Sequence, residues 1–416
     1  YSNLVGDHNN AIGYGSLYNT TSGCHNNAIG YQTLYSNTSG CYNNAIGCGA
    51  LRSNTTGGCN FAVGRYALYG NTIGTNNAAI GYAALQNNDS GTDNNAIGQN
   101  NLKNNTTGCY NSAIGREALY SNTIGKCNTA IGLETLYSNT EGNNNTALGY
   151  SALRNNTTGE YNTAIGARAL YTSLSGDHNF AAGQCALYSN WGGCDNNAIG
   201  QCALKENTTG CRNTAIGYQA MFDNTTGKQN FAGGYSALAN NTTGNDNNAL
   251  GYYALYSNTT GVDNTAIGCQ ALKSNTDGCY NTAIGQITLQ SNLSGCYNAA
   301  IGYKALNANT TGCDNTAIGA CSLQNNTTGS HNIGVGIYAG KFLANGSTAL
   351  TSPNNSIYLG SCTRGYAATD SNVTVIGYCA CACGDNTVSI GNCDVTDTYI
   401  NGTTTVTGNV SASGNG

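Results

Sequence analysis

The stretch Asn128–Asn145 reads NTAIGLETLYSNTEGNNN, and close copies of it begin seventeen residues earlier and seventeen residues later. With Ile131 as the reference, or position 0, the equivalent position recurs from Ile12 to Val335 without an insertion or deletion. The chain therefore contains twenty copies of a seventeen-residue unit. A perfect period is typical of a solenoid, in which each repeat buries its apolar face against its neighbours.

The composition argues against some classes of binding partner. Only 8% of the 416 residues are charged and the formal net charge is -5, so there is no basic field for nucleic acid. No apolar run approaches the roughly 20 residues needed to cross a bilayer. We therefore expect neither nucleic-acid binding nor membrane insertion, and no motif points to a cofactor.

Several positions of the repeat are nearly invariant. Gly occupies +1 and +11 in all twenty copies, which predicts corners with positive φ or close approach of another backbone. Asn stands three positions before the reference, at +14 of the preceding coil, in all twenty copies. Stacked amides of this kind predict a hydrogen-bonded ladder at a bend. Position +5 is Leu in eighteen copies, with Met221 and Gly340 as the departures.

Two short runs lie between the glycines, N-x-A-I-G and x-A-L-x, and no helical stripe crosses them, so both are predicted to be strands. The predicted fold is all-β: a parallel β-solenoid, or β-roll, of twenty 17-residue coils with Ile and Leu ladders inside. Such a core is thin, and lateral association of identical chains would supply the missing burial. A homotrimeric fibre is predicted, with a dimer as the alternative.

The chain divides into three parts. Residues 1–343 form the predicted shaft, and residues 344–393, which contain Pro353, form a degenerate continuation. There the pattern returns loosely in Asn355–Gly360 and Asn386–Gly391. Residues 394–416 form a predicted strand-rich tail with a tight hairpin turn at Asn401–Gly402.

The N-[NT]-A-I-G-x-x-A-L core resembles the repeats of trimeric autotransporter adhesin heads. The seventeen-residue form, as in Asn213–Thr226, is similar to repeats in the shafts of bacteriophage-type tail fibres. The likeness covers the array from about residue 7 to 343. The resemblance implies a left-handed β-roll in a homotrimer located outside the cell, on a cell surface or on a virion. It also implies a C-terminal chaperone removed after trimerisation, of which residues 394–416 would be the stub.

Cysteine is unusually frequent, with twenty in the chain, and most lie at +2, +3, +12 or +13. Disulfides in an extracellular rod are one interpretation, and free small apolar thiols are the other. Bonds between neighbouring chains would use the same residues. The pairs predicted within a coil are Cys48 with Cys59, Cys185 with Cys194, Cys202 with Cys211 and Cys269 with Cys279.

Asn at position +8 begins an N-x-[ST] glycosylation pattern in many coils. Asn and Thr are equally what a hydrogen-bonded turn before Gly requires, so both interpretations stand. The candidate glycosylation sites are Asn37, Asn54, Asn105, Asn156, Asn258 and Asn309.

Tyrosine recurs in rows at +2 and +6. Rings in rows can stack on one another or fill a subunit interface, and exposed rings can also bind a sugar or an apolar surface. The candidate row at +2 comprises Tyr14, Tyr31, Tyr82, Tyr150, Tyr218, Tyr235, Tyr252 and Tyr303.

The sequence gives little support for a catalytic site or a metal-binding site. The four histidines, His8, His25, His178 and His331, all stand at +13 without accompanying ligands at a metal-binding spacing, and carboxylates form no recurring pair. The chain is predicted not to be an enzyme but a structural or adhesive fibre shaft that extends an attachment structure and contacts a host receptor or surface glycans. The alternatives are an ice- or ligand-binding solenoid with stacked Thr and Tyr ladders, and a filament that polymerises end to end.

Overall fold

The computed structural model describes residues 5–392 and 394–395, so nearly all of the predicted tail, including Asn401–Gly402, lies outside the described residues. Within them there are 23 three-residue strands and no helix. The strands are β1 (Asn10–Ile12), β2 (Asn27–Ile29), β3 (Asn44–Ile46), β4 (Phe61–Val63), β5 (Ala78–Ile80), β6 (Asn95–Ile97), β7 (Ser112–Ile114), β8 (Thr129–Ile131), β9 (Thr146–Leu148), β10 (Thr163–Ile165), β11 (Phe180–Ala182), β12 (Asn197–Ile199), β13 (Thr214–Ile216), β14 (Phe231–Gly233), β15 (Asn248–Leu250), β16 (Thr265–Ile267), β17 (Thr282–Ile284), β18 (Ala299–Ile301), β19 (Thr316–Ile318), β20 (Ile333–Val335), β21 (Ile357–Leu359), β22 (Thr374–Ile376) and β23 (Val388–Ile390).

Each strand pairs in parallel with the next strand along the chain, so like residues stack on like. Ile114 of β7 is opposite Ile131 of β8, and the same register holds from β1 to β20. Strands β21 to β23 continue the sheet at spacings of 24, 17 and 14 residues. The predicted parallel β-solenoid is confirmed. The strand ladder exceeds the predicted twenty coils because the degenerate segment adds three strands.

The core contains the middle residue of each strand and the Leu at +5, and it does not contain the reference Ile. In one coil Ala113 and Leu119 are fully buried, whereas Ile114 is 37% exposed. The prediction of an internal Ile ladder is therefore wrong. Neighbouring residues of a strand point to opposite faces, and the narrow coil has room on its inner face only for Ala opposite Leu.

The second predicted strand is also absent, because x-A-L-x forms a turn in every coil. Its backbone has positive φ at +3 and +5, as at Glu117 (60°) and Leu119 (51°). These residues still bond to neighbouring coils: Leu119 N–H donates to Thr135 O at 3.0 Å and Glu117 N–H to Gln99 O at 2.9 Å. Hydrogen bonding between coils therefore maintains a left-handed conformation that Leu does not favour in isolation.

The two invariant glycines are required for different reasons. Gly132, at +1, has φ of 136°, and a Cβ atom there would lie 2.6 Å from the carbonyl oxygen of Gly149. Gly142, at +11, has no positive φ, but a Cβ atom would lie 2.5 Å from both Asn139 Oδ1 and Gly159 O. The predicted close approach is thus confirmed, and the approaching backbone belongs to the next coil.

At the end of the regular array, a small residue in one coil accommodates a large side chain of the next coil. Gly340 takes the Leu position, and a Cβ atom there would lie 2.8 Å from the ring of Tyr358 in the middle of β21. This ring is fully buried, and its hydroxyl donates to Asp370 Oδ2 at 2.9 Å. Asp370 also accepts the backbone N–H groups of Tyr366 and Ala367. The departure at Gly340 therefore makes room for a larger residue one coil later.

Candidate functional site

The outer face of the strand ladder, which we call the strand face, is formed by the first and third residues of strands β1–β20. Thirteen of the fourteen reference Ile residues are exposed by 36–56%. None of the forty residues of this face is charged. A continuous apolar stripe of this kind is uncommon on the surface of a monomeric protein.

The two outward side chains of each strand compensate for one another in size. Where the third residue is smaller than Ile or Leu, the first residue is large. The four instances are Phe61 with Val63, Phe180 with Ala182, Phe231 with Gly233 and Ile333 with Val335. A Cβ atom on Gly233 would lie 3.3 Å from Phe231 Cε1, so the Phe ring lies over this glycine.

This compensation is visible in the sequence, but it has no apparent meaning when Ile is assigned to the interior. The inner face gives no reason for it, since the middle residue is Ala in nineteen of the twenty strands. A side chain facing only water would have room to turn away from its neighbour. The compensation indicates that the strand face is kept level along the rod.

Two asparagine ladders run through the interior. At +14, Asn128 N–H and Nδ2 donate to Asn111 Oδ1 at 3.0 and 3.2 Å, and Nδ2 also donates to Gly142 O at 2.8 Å. The predicted amide ladder is confirmed. At +8, Asn105 Nδ2 donates to Asn88 Oδ1 at 2.7 Å and to Gly108 O at 2.9 Å.

The +8 ladder contains the predicted glycosylation sites. All six are fully buried, and each Nδ2 donates to the Gly carbonyl three residues later. An N-linked sugar on the folded coil would have to displace this bond and open the interior. The geometry therefore favours the hydrogen-bonded-turn interpretation of these residues: Asn37, Asn54, Asn105, Asn156, Asn258 and Asn309.

The tyrosine row at +2 lies on the surface, where all eight rings are 39–74% exposed. Tyr235 stacks on Tyr218 and Tyr252 with centroid distances of 5.0 and 5.4 Å. The +6 row stacks in the same way, as in Tyr120 with Tyr137 at 5.0 Å. Stacking covers the ring faces only where neighbouring coils both have Tyr in the row, and there a ligand would meet mainly ring edges and hydroxyl groups.

The threonines at +9 also bond along the chain. Thr106 Oγ1 donates to Thr123 O at 3.0 Å, and Thr208 Oγ1 donates to Thr225 O at 2.9 Å. The next position, +10, is occupied by Thr in some coils and by Ile124 in another. The turn therefore does not present the regular, outward hydroxyl grid that an ice-binding surface would require.

All eight cysteines of the predicted pairs are free thiols. In the described residues, the contacts that join one cysteine to another run between neighbouring coils. Cys24 and Cys41 have their Sγ atoms 2.8 Å apart, and Cys194 N–H donates to Cys211 Sγ at 3.2 Å. The pairs that sequence reasoning placed within one coil are therefore not those that stacking brings together.

Ionisable groups are dispersed. His25 stacks between His8 and Tyr42 at centroid distances of 4.8 and 4.9 Å. A shallow groove contains Lys126, Glu141 and Glu160. Among residues 5–392 and 394–395, no three His, Cys, Asp or Glu side chains are grouped so that they could hold a metal ion.

The chain matches no protein-family model, and it matches no curated protein. No helix in the part of the chain that the structure describes could span a bilayer. The fold therefore defines the protein as a β-solenoid repeat protein, and its surfaces are the basis for inferring a role.

Proposed function

We propose that this chain is the shaft of a homotrimeric fibre, located outside a cell or on a virion, that extends and stiffens an attachment structure. The observation that carries the proposal is the strand face, which is uncharged and has a level apolar stripe at the third position of its strands through twenty coils. The role is mechanical and requires no catalytic group.

A second copy of this chain is the partner that best suits the strand face. Stacked coils repeat at about 4.8 Å along the rod, so a partner must present apolar groups at the same spacing over the same length. A second copy of this chain meets this requirement, because its coils have the same spacing and the same apolar residues. The absence of charge on this face removes the cost of burying unpaired ions at the contact.

Three copies are proposed because each chain offers one such face, and a closed ring lets every strand face turn towards a common axis. Repeats of adhesin heads and tail-fibre shafts, which this array resembles, assemble in this way. The stacked tyrosines and cysteines lie outside the strand face and are not needed for the contact.

The test replaces Ile114 and Ile131 with Lys and measures molar mass by light scattering. We expect the unaltered chain to have three times its mass of 42.6 kDa and the double variant to have the mass of one chain. Two lysines in a buried apolar contact would be unpaired charges, which are strongly unfavourable.

The matched control replaces Thr107 and Thr158 with Lys, because both are exposed at position +10 outside the strand face. This control should remain trimeric, and circular dichroism should show the same β structure in all three proteins. A monomeric unaltered chain at micromolar concentration would refute the proposal, as would dissociation of the control alone.

A further inference from the structure

Cysteines at the same position of adjacent coils lie directly over one another. Because the coils stack in register, two equivalent Cα atoms are separated by about 4.8 Å. The Cα separation in disulfides is usually 4.4–6.8 Å, and the Cα separation of every such pair lies within this range. Within the twenty regular coils, the adjacent sets are Cys24 with Cys41, Cys194 with Cys211 and Cys279 with Cys296 and Cys313 at +12, and Cys185 with Cys202 at +3.

At +12, the Sγ atom of each later cysteine lies close to the cysteine one coil earlier. Cys24 Sγ lies 2.8 Å from Cys41 Sγ. In the other sets the N–H of one cysteine donates to the Sγ of the next, at 3.2 Å for Cys194 and 3.1 Å for Cys279. Cysteines of the +12 sets are only partly buried, so a small reagent can reach them.

From this geometry we propose that adjacent cysteines are disulfide sites that join one coil to the next, Cys194 to Cys211 and Cys24 to Cys41 in particular. A low-molecular-weight disulfide such as oxidised glutathione is the oxidant. One protein thiolate attacks it and releases one reduced thiol, and the neighbouring cysteine then displaces the second. The two cysteines lose two electrons and two protons, and the small disulfide is reduced to two thiols.

Each bond would close a loop of one coil and prevent those two coils from separating. Such a link acts mainly on the unfolded chain, whose freedom it restricts. In a solenoid this restriction is local, because a coil contacts only its neighbours. The proposal does not depend on the oligomeric state of the rod.

Trypsin gives a direct test, because cleavage after Lys205 and Arg212 releases Glu206–Arg212 with Cys211 as its single thiol. The folded chain is treated with oxidised glutathione, free thiols are blocked with N-ethylmaleimide, and the peptides are identified by mass spectrometry without reduction. We expect Glu206–Arg212 to be found joined to the peptide 169–205, which contains Cys185, Cys194 and Cys202.

Two matched variants identify the partner of Cys211. In C194S the joined peptide should be lost, and in C202S it should remain. Both variants preserve local structure, since Ser330 at +12 accepts the N–H of Cys313 at 3.0 Å and Ser151 stands naturally at +3. Loss of the joined peptide in C202S alone would show pairing within the coil and refute the proposal. Full labelling of Cys211 after oxidation of the unaltered chain would refute it equally.

Discussion

At the scale of single residues, the +8 ladder shows what one missing amide costs. Ser173 replaces Asn at this position, and both Ser173 Oγ and the adjacent Asn156 Oδ1 are buried without a hydrogen-bond partner. On the other side, Asn190 Nδ2 donates to Gly193 O at 2.9 Å, and no bond from it to Ser173 is present. The ladder is thus interrupted for one coil.

Ser173→Asn should repair this interruption and stabilise the protein. The new amide would donate to Asn156 Oδ1 and accept from Asn190, as in the coils on either side. Because a buried polar group without a partner costs about 1–3 kcal/mol, a gain of that size in the free energy of unfolding is expected. Guanidinium unfolding measures it. Ser175→Asn, the same change on an exposed turn, should leave stability unaltered.

Tyr358 predicts a pH dependence. Burial, and then the charge of Asp370, raise the pKa of this phenol well above its ordinary value of about 10. In the unfolded chain the phenol ionises near pH 10, whereas in the folded chain it remains neutral. Its contribution to stability is therefore complete below pH 10 and declines as the pH rises further.

Tyr358→Phe should lower stability at pH 7, because Asp370 loses a buried donor, by about 1–3 kcal/mol. Above pH 10 the stability of the variant should decline less steeply than that of the unaltered protein. Unfolding free energies at pH 7 and pH 10.5 test both statements. Tyr366→Phe, at an exposed ring, is the control, and an equal alkaline slope in Tyr358→Phe would contradict the assignment.

At the scale of the strand, the size compensation between first and third residues can be tested by exchanging volumes. In β14, Gly233→Ile would place a Cβ atom 2.9 Å from Leu250 Cδ1 and 3.3 Å from Phe231 Cε1. Overpacking of this kind costs about 1–3 kcal/mol, so we expect the free energy of unfolding to fall by that amount.

The second change Phe231→Thr should restore stability in the Gly233→Ile background. It recreates the Thr-Ala-Ile triplet that β8 and β10 contain naturally. Phe231→Thr alone, which leaves both outward side chains small, serves as the control and should not stabilise the protein. Failure of the double variant to recover would indicate that the two side chains are independent.

The strands also show which features of the fold can be predicted from the sequence and which cannot. The period, the two glycines and the asparagine ladder follow from composition at fixed positions, and all three are present. The inward residue could not be chosen, because a three-residue strand such as Thr129–Ile131 alternates equally well with either face inside. The left-handed Leu136 contradicts local preference and depends on bonds to neighbouring coils, which no single repeat encodes.

The choice of the inward residue also determined which functional surfaces could be predicted. Once Ile131 was assigned to the interior, the strand face had no apolar stripe left to recognise. The cysteine contacts follow from the period alone, since equal positions stack. Pairing Cys202 with Cys211 instead assumed that residues of one coil meet across it, whereas the shorter path is to the coil above or below.

At the scale of the whole molecule, the twenty-three strands of the described residues make a rod of about 105 Å at the usual strand spacing. Each strand contacts only the strands before and after it, so whole coils should be removable. Deletion of residues 129–179, three complete coils, should leave a folded rod about 14 Å shorter. Small-angle scattering would measure the length.

Deletion of residues 129–171 is the matched control, because it removes a similar length of chain but places unlike positions of the repeat next to each other. We expect this variant to lose the cooperative unfolding and β signal that the three-coil deletion retains. If both deletions folded equally well, the register of the coils would not be what holds the rod together.

The left-handed leucines have a consequence for how the rod forms. Leu119 and Leu153, with φ of 51° and 50°, represent a conformation that costs an L-amino acid about 1–2 kcal/mol by itself. A lone coil bears this cost without the layers on either side that offset it. We therefore expect the rod to form by nucleation. The first few coils form at a net cost in free energy and limit the rate, whereas each further coil is added with a net gain.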